Sequence, residues 1–322
     1  MNTPASRSPI KAALPSIVRA DICSRLPPWV VPAWFGTRDE GLTACADAEI
    51  CWLHLDEPRE IATLIEAATA MRWFNTIYTG LDGFPLDILR HRAGQVTNGA
   101  GLNAITIAEY VVMGMLTIAK GYREVVRAQD RREWLSTAPG KQELAGSRAL
   151  IVGYGEIGKL IAERVKSFGV EVMAVRRSAT GDDGFLDPGQ WRERLGEFDW
   201  IVLAVPATAE TVRMIGRREL VSMRTSAVLI NVARGTLVDQ DALVDALQKR
   251  HIAGAFLDVT DPEPLAPSHP LWGMENVHIS MHLSGRSQTR TMERAVSRFL
   301  DNLCLYAAGS PLKHAVDLDR GY

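Results

Sequence analysis

The chain has 322 residues, 47% of them hydrophobic, and its 36 Lys and Arg against 38 Asp and Glu leave a formal net charge of −2. That apolar content suffices for large cores in two domains, and the near-neutral charge argues against nucleic acid or a membrane surface as the partner. The four cysteines (Cys23, Cys45, Cys51, Cys304) show no C-x-x-C spacing, and a chain this long needs no disulfides, so free thiols in a reducing cytosol are expected.

The first nine residues lack a basic-then-apolar signal pattern. The most apolar stretch, residues 110–119, is about half the length that spans a bilayer. A soluble, cytoplasmic protein without internal repeats is the expectation.

In chain order, the first hundred residues alternate short apolar runs with helical patterns. Residues 50–55 predict a strand, and residues 58–70 carry Ile61, Leu64, Ile65 and Ala68 at helical spacing. Residues 73–78 predict the next strand, ending at the turn Thr79-Gly80-Leu81-Asp82-Gly83. Such alternation predicts a parallel sheet covered by helices. Residues 105–121 predict a long apolar helix leading out of this first unit, and residues 134–146 a polar connector rich in Pro, Gly and Lys. The second unit opens with a strand over 149–152, a helix over 157–168 and a strand over 171–175. Further strands are expected at 200–205, 227–231, 253–258 and 277–279, with helices between them. One of these helices, 239–249, opens on an Asp suited to N-capping. Six such strands fit a doubly wound sheet. A last helix, 289–306, fits either unit.

Between the strand at 149–152 and its helix lies Gly153-Tyr154-Gly155-Glu156-Ile157-Gly158, which matches G-x-G-x-x-G. In this strand–turn–helix setting the glycines let backbone approach a diphosphate, and the amides of Glu156 and Ile157 open a helix whose positive end favours the anion. In the fingerprint an acid about 20 residues further on accepts from the ribose 2′-hydroxyl. Here that place holds Arg176-Arg177-Ser178. Guanidinium groups bind a 2′-phosphate where a carboxylate repels it. NADP(H) is therefore the expected cofactor, with NAD(H) still possible. A solvated charged turn is the plain alternative, and the glycines upstream favour the phosphate.

Three further segments place chemistry just past predicted strands. Asn231-Val232-Ala233-Arg234-Gly235 carries an arginine, Asp258-Val259-Thr260-Asp261-Pro262-Glu263 a glutamate, and His278-Ile279-Ser280-Met281-His282 a histidine. Singly, a loop cap, a surface acid and a satisfied core histidine explain them. In a parallel sheet, however, all three strand ends face the crevice where ligands bind, which brings Arg234, Glu263 and His282 together beside a dinucleotide site.

These segments, with Leu144-Ala145-Gly146, Val205-Pro206-Ala207-Thr208, Gly254 to Leu265 and His269-Pro270-Leu271-Trp272, resemble the D-isomer-specific 2-hydroxyacid dehydrogenase family, and within it the glyoxylate and hydroxypyruvate reductases. Asn98-Gly99-Ala100-Gly101 with Ala108-Glu109 resembles the family's segment before the domain crossing. The recognisable motifs cover roughly residues 76 to 290. The resemblance implies two α/β domains of doubly wound parallel sheet with the active site in their cleft. One is a Rossmann cofactor domain, here 118–287. The other is a flavodoxin-like, discontinuous substrate domain, here 1–117 and 288–322. It implies Arg234, Glu263 and His282 as the catalytic group and no metal. Gly153, Gly155, Glu156, Ile157, Gly158, Arg176, Arg177, Ser178, Val205, Pro206, Val232, Ala233, Asp258, Ser284 and Gly285 would bind the cofactor. Tyr78, Thr79 and Gly80, with Arg234 and His282, would bind the substrate, and Trp52, Leu53 and Tyr78 would wall a small pocket. A homodimer is also implied, with Trp134 in the connector either approaching the partner's pocket or, the favoured reading, serving as an interface anchor. Two departures stand out: Met281 replaces the usual proline before the histidine, and Thr260-Asp261 replaces a more common aromatic–acid pair.

Under this resemblance the reaction is reduction of a small 2-oxo acid to the D-2-hydroxy acid by hydride transfer. Protonated His282 acts as general acid, Glu263 beside it favours the charged imidazole, and Arg234 binds the carboxylate and polarises the carbonyl. The rivals are an NAD(P)H-binding sensor that recruits partners and an NAD-dependent D-3-phosphoglycerate-type dehydrogenase. The intact catalytic trio argues against the first. The missing acid at 176 and the lack of an added regulatory domain argue against the second.

Overall fold

The structure is a computed structural model that describes residues 8–55, 57–81, 83–177 and 184–318. The chain divides into two compact units, residues 1–102 with 289–322, and residues 103–288.

The first unit begins with β1 (Ile10–Pro15), the short helix α1 (Arg19–Ile22), β2 (Val30–Phe35) and α2 (Arg38–Cys45). Helix α2 starts on a capping box, in which Thr37 Oγ1 accepts from the Glu40 amide and Glu40 Oε2 accepts from the Thr37 amide. There follow β3 (Ile50–Trp52), α3 (Pro58–Ala67), β4 (Trp73–Asn75), α4 (Leu86–Arg92) and β5 (Gln95–Thr97). The strands pair in parallel in the order β2-β1-β3-β4-β5, the order of flavodoxin-like sheets.

The second unit opens with α5 (Ala104–Ala119) and α6 (Tyr122–Arg131), which meet at Gly121 with φ +60°. It continues through β6 (Arg148–Val152), α7 (Glu156–Lys166), β7 (Glu171–Val175), β8 (Phe185–Leu186), β9 (Trp200–Leu203), α8 (Arg217–Ser222), β10 (Val228–Asn231), α9 (Gln240–Gln248), β11 (Gly254–Leu257) and β12 (Val277–Ile279). Asp239 caps α9, its carboxylate accepting from the Ala242 amide. The seven strands run parallel in the order β12-β11-β10-β9-β6-β7-β8, one more than the six expected. The order reverses direction between β6 and β9, the switch point where doubly wound sheets bind ligands. The chain then returns to the first unit in α10 (Thr291–Ala307), whose Phe299 lies 4.7 Å from the Trp52 ring and 5.0 Å from that of Trp73.

The expected first boundary at 117/118 needs correction. Helix α5 lies in the second unit, where Ala108, Val111 and Met115 share a core with Ile161, Ala162 and Val165 of α7. A Cβ on Gly114 would come within 2.8 Å of the Phe256 ring, so the glycine lets α5 sit close on β11. The units divide at 102/103 and 288/289 rather than at 117/118 and 287/288. Among the described residues no single helix is long and apolar enough to cross a membrane. All four cysteines are free thiols.

His278 on β12 makes this sheet edge acid-sensitive. Burial, with help from Arg123 and Arg127, pushes its imidazole down to about 4. Unfolded, the ring titrates near ~6.5. Above that pH both states are neutral and nothing changes. As pH falls below it the unfolded chain binds a proton that the folded chain refuses, so stability is lost progressively down to about 4. Urea midpoints of His278→Gln are expected to fall less than wild type between pH 7 and pH 4.5. An identical fall would remove His278 from the acid response.

Candidate active site

Strand β6 ends in the glycine turn because only glycine fits there. Gly153 has φ +104°, and a Cβ on it would lie 2.4 Å from the Ala204 carbonyl oxygen. A Cβ on Gly158 would lie 2.0 Å from the Gly153 carbonyl oxygen, so this glycine lets α7 close onto the turn. Gly155, the N-cap of α7, is different: a Cβ there meets nothing within 4 Å. Two glycines therefore shape the turn, while the third keeps open space in front of the amides of Glu156 and Ile157. That is the cradle a dinucleotide diphosphate requires.

Arg176 follows β7, and its guanidinium carbon stands 4.2 Å over the Phe185 ring. Arg177 is exposed, with Nη2 4.0 Å from the Glu210 carboxylate. Ser178 lies outside the described residues. Strand β9 leads into Val205, half-buried, and Pro206, exposed. A Cβ on Gly153 would lie 2.7 Å from Val205 Cγ1, so Val205 flanks the glycine turn.

The arginine loop leaves β10. Asn231, buried at the strand end, bends it: its side-chain amide donates to the Arg234 carbonyl (2.8 Å) and its Oδ1 accepts from the Ala233 amide (3.1 Å). Val232 is buried within the loop, Ala233 is half-buried, and Arg234 Nη1 donates to the Ala233 carbonyl (2.8 Å). A Cβ on Gly235 would stand 2.1 Å from the Thr260 carbonyl group. This glycine lets the arginine loop press against the loop that leaves β11.

That second loop carries Glu263 between two prolines, with cis peptides at Asp261–Pro262 and Glu263–Pro264. Glu263 Oε1 accepts from the Thr260 amide (3.1 Å) and Oε2 faces His282 Nδ1 at 2.7 Å. One carboxylate oxygen is thus anchored to backbone while the other grips the imidazole. Thr260, one of the two departures, is buried and hydrogen-bonds the Pro262 carbonyl, so it shapes the turn that aims Glu263.

His282 follows β12 in an unusual backbone: Met281 and His282 have φ +53° and +56°. Two successive non-glycine residues in the left-handed region are costly, roughly 1–3 kcal/mol each, and Asp258 holds them. Its main-chain oxygen accepts from the His282 amide, and its buried carboxylate accepts from Ser280 Oγ (2.7 Å), the Ser284 amide (3.2 Å) and Ser284 Oγ. Both Asp258 and Ser284 are 2% exposed. Gly285 follows with its carbonyl accepting from Gln288. Proline fixes φ near −65°, so it does not fit position 281 in this loop. Met281→Pro is expected to lower the melting temperature by several degrees, the equivalent of roughly 1–3 kcal/mol. An unchanged or higher melting temperature would mean that the loop adopts another shape.

Strands β10, β11 and β12 are parallel neighbours. Arg234, Glu263 and His282 therefore leave the same edge of one sheet, the edge that also carries the glycine turn and Arg176. The sequence reading missed Ser280, Thr260 and Gly235 as supports. Only Gly235, beside the arginine, left a local signal.

In the first unit, residues 78–80 lie in the irregular segment after β4. The Tyr78 hydroxyl donates to the Leu55 carbonyl (3.2 Å), Thr79 Oγ1 donates to the Gly99 carbonyl (3.3 Å), and Asn98 Nδ2 donates to the Thr79 carbonyl (2.7 Å). Thr79 is exposed and Gly80 half-buried. Trp52 and Leu53 do not wall a pocket. Both are 0% exposed and lie within the unit's core, because β3 is buried on both faces.

The sequence model described as D-isomer specific 2-hydroxyacid dehydrogenase, NAD binding domain, matches residues 112–284. A glyoxylate reductase of Korarchaeum cryptofilum is 32% identical over 255 residues, 77% of this chain and 76% of that one. A D-3-phosphoglycerate dehydrogenase of Archaeoglobus fulgidus is 28% identical over 272 residues, 80% of this chain and 49% of that one. Among solved structures, a D-isomer specific 2-hydroxyacid dehydrogenase family protein from Aeromonas salmonicida subsp. salmonicida superposes with a TM-score of 0.83 at 29% identity, covering 96% of this chain and 98% of that one.

Proposed function

The chain belongs to the D-isomer-specific 2-hydroxyacid dehydrogenases, a family of NAD(P)-dependent oxidoreductases, and on that footing we propose that it reduces a small 2-oxo acid of the glyoxylate or hydroxypyruvate kind to the D-2-hydroxy acid with NADPH. The observation that carries the reading is the His282–Glu263 pair at 2.7 Å, on the loop next to Arg234 and on the same sheet edge as the glycine turn.

The residues divide the work. A bound nicotinamide supplies the hydride. Arg234 grips the substrate carboxylate and draws charge toward the neighbouring carbonyl oxygen. Glu263 holds Nδ1 of His282, which leaves Nε2 as the nitrogen that delivers a proton to that oxygen as it gains charge. In the reverse direction the neutral ring takes the proton back. Gly153, Gly155 and Gly158 with the first amides of α7 hold the diphosphate, and Val205, Pro206, Val232, Ala233, Asp258, Ser284 and Gly285 complete the cofactor site.

The cofactor preference rests on Arg176 standing where an acid would bind a ribose hydroxyl. The substrate class rests on relatives named glyoxylate reductase, such as that of Korarchaeum cryptofilum. The relative named D-3-phosphoglycerate dehydrogenase points to a phosphorylated substrate instead; against an NAD-dependent enzyme of that type stands Arg176, where an acid would be expected. A homodimer is part of the proposal, with the 97%-exposed Trp134 as its anchor.

Initial rates decide the matter: NADPH and NADH against glyoxylate, hydroxypyruvate, pyruvate, 3-phosphohydroxypyruvate and aromatic 2-oxo acids. Fastest turnover is expected with NADPH and the two smallest polar acids. Tight NADPH binding without turnover of any acid would favour the sensor.

A further inference from the structure

We propose that Phe185 sets the selectivity for a 2′-phosphate by holding Arg176 in place. The inference rests on the NADPH reading and deepens it.

Strand β8 has only two residues and pairs in parallel with the end of β7, Ala174 beside Phe185 and Val175 beside Leu186. Alternation along the strand sends Leu186 into one core and Phe185 to the opposite face, where it packs with Tyr154. The Phe185 ring meets the Tyr154 ring edge-on, centroids 4.9 Å apart and planes at 86°. Tyr154 lies between Gly153 and Gly155, inside the turn that cradles the diphosphate. The Arg176 guanidinium stands over the same phenyl ring at 4.2 Å. A continuous stack therefore runs from the glycine turn through Tyr154 and Phe185 to Arg176.

The chemistry of the stack suits an anion. A guanidinium uses its face for the ring, while its N–H groups lie in the plane and point outward, the geometry that grips phosphate oxygens as a fork. An arginine already held loses less rotamer freedom when the phosphate arrives. Arg177 is 62% exposed and stands 4.0 Å from the Glu210 carboxylate, whose charge opposes an incoming phosphate.

The test is equilibrium binding by calorimetry of 2′,5′-ADP and 5′-AMP, which differ in the 2′-phosphate, to the full-length protein. Phe185→Leu is expected to weaken 2′,5′-ADP roughly 3- to 10-fold and leave 5′-AMP unchanged. Phe185→Tyr keeps the ring and should match wild type. Arg176→Ala should abolish the preference. If Phe185→Leu weakens both ligands equally, Phe185 serves the glycine turn through Tyr154 and the proposal is overturned. No change in either ligand overturns it as well. If wild type binds 2′,5′-ADP no more tightly than 5′-AMP, the NADPH reading has failed first, and the role of Phe185 falls with it.

Discussion

His282→Ala is expected to lower turnover by roughly 10²- to 10⁴-fold, the range for a positioned general acid, with NADPH affinity near that of wild type. The expectation follows from how firmly the ring is held. Its Nδ1 is 2.7 Å from Glu263 Oε2, and the other oxygen of that carboxylate is tied to the Thr260 amide at 3.1 Å. The His282 amide is in turn held by the Asp258 carbonyl. A side chain restrained at both backbone and ring reaches one place, and alanine leaves no group there to deliver a proton. The pH profile tells a chemical loss from a structural one. In the proposed reaction reduction takes a proton from the imidazole, so it slows as protons become scarce, while oxidation needs a ring free to accept one and quickens. In His282→Ala these opposed pH dependences should vanish. A variant that kept near-normal turnover, or kept both dependences, would place the general acid elsewhere.

Much of this site is legible in the sequence because it hangs on the ends of parallel strands. Ala149 to Gly158 declares a strand, a tight turn and a helix within ten letters, and the apolar runs before Arg234, Glu263 and His282 mark three more strand ends. What the sequence conceals is contact between distant residues. Asp258 reads as a cofactor ligand by resemblance, and nothing near it reveals that Ser280 and Ser284, more than twenty residues on, hydrogen-bond to its carboxylate. Helix α5 reads as the exit from the first unit because it is apolar on most of its surface. Only its packing on α7 and Phe256 assigns it to the second. In the first unit β3, β4 and β5 are three residues each, too short to show a period of two. Trp52 and Leu53 therefore give no local sign of facing the core rather than a ligand. Strand β8, with two residues, has no periodicity at all.

Arg234→Ala should be the most damaging single change, because the proposed reaction gives this one side chain two jobs. Loss of a donor that stabilises developing charge costs roughly 10²- to 10³-fold in kcat. Loss of a charged hydrogen-bonding partner for the substrate carboxylate costs about 1.5–3 kcal/mol, or roughly 10- to 100-fold in KM. Together they predict a fall in kcat/KM of roughly 10³- to 10⁵-fold. The loop should survive the change, because its shape comes from elsewhere: Asn231 bonds the backbone of residues 233 and 234, and Gly235 seats the loop against Thr260. A melting temperature close to wild type is therefore part of the prediction. Arg234→Lys separates the two jobs. Its point charge still attracts a carboxylate, but it lacks the planar fork that fixes the acid and its carbonyl together, so KM should recover more than kcat. If Arg234→Ala changed only the KM for NADPH, Arg234 would belong to the cofactor. The substrate carboxylate would then have to be held without it.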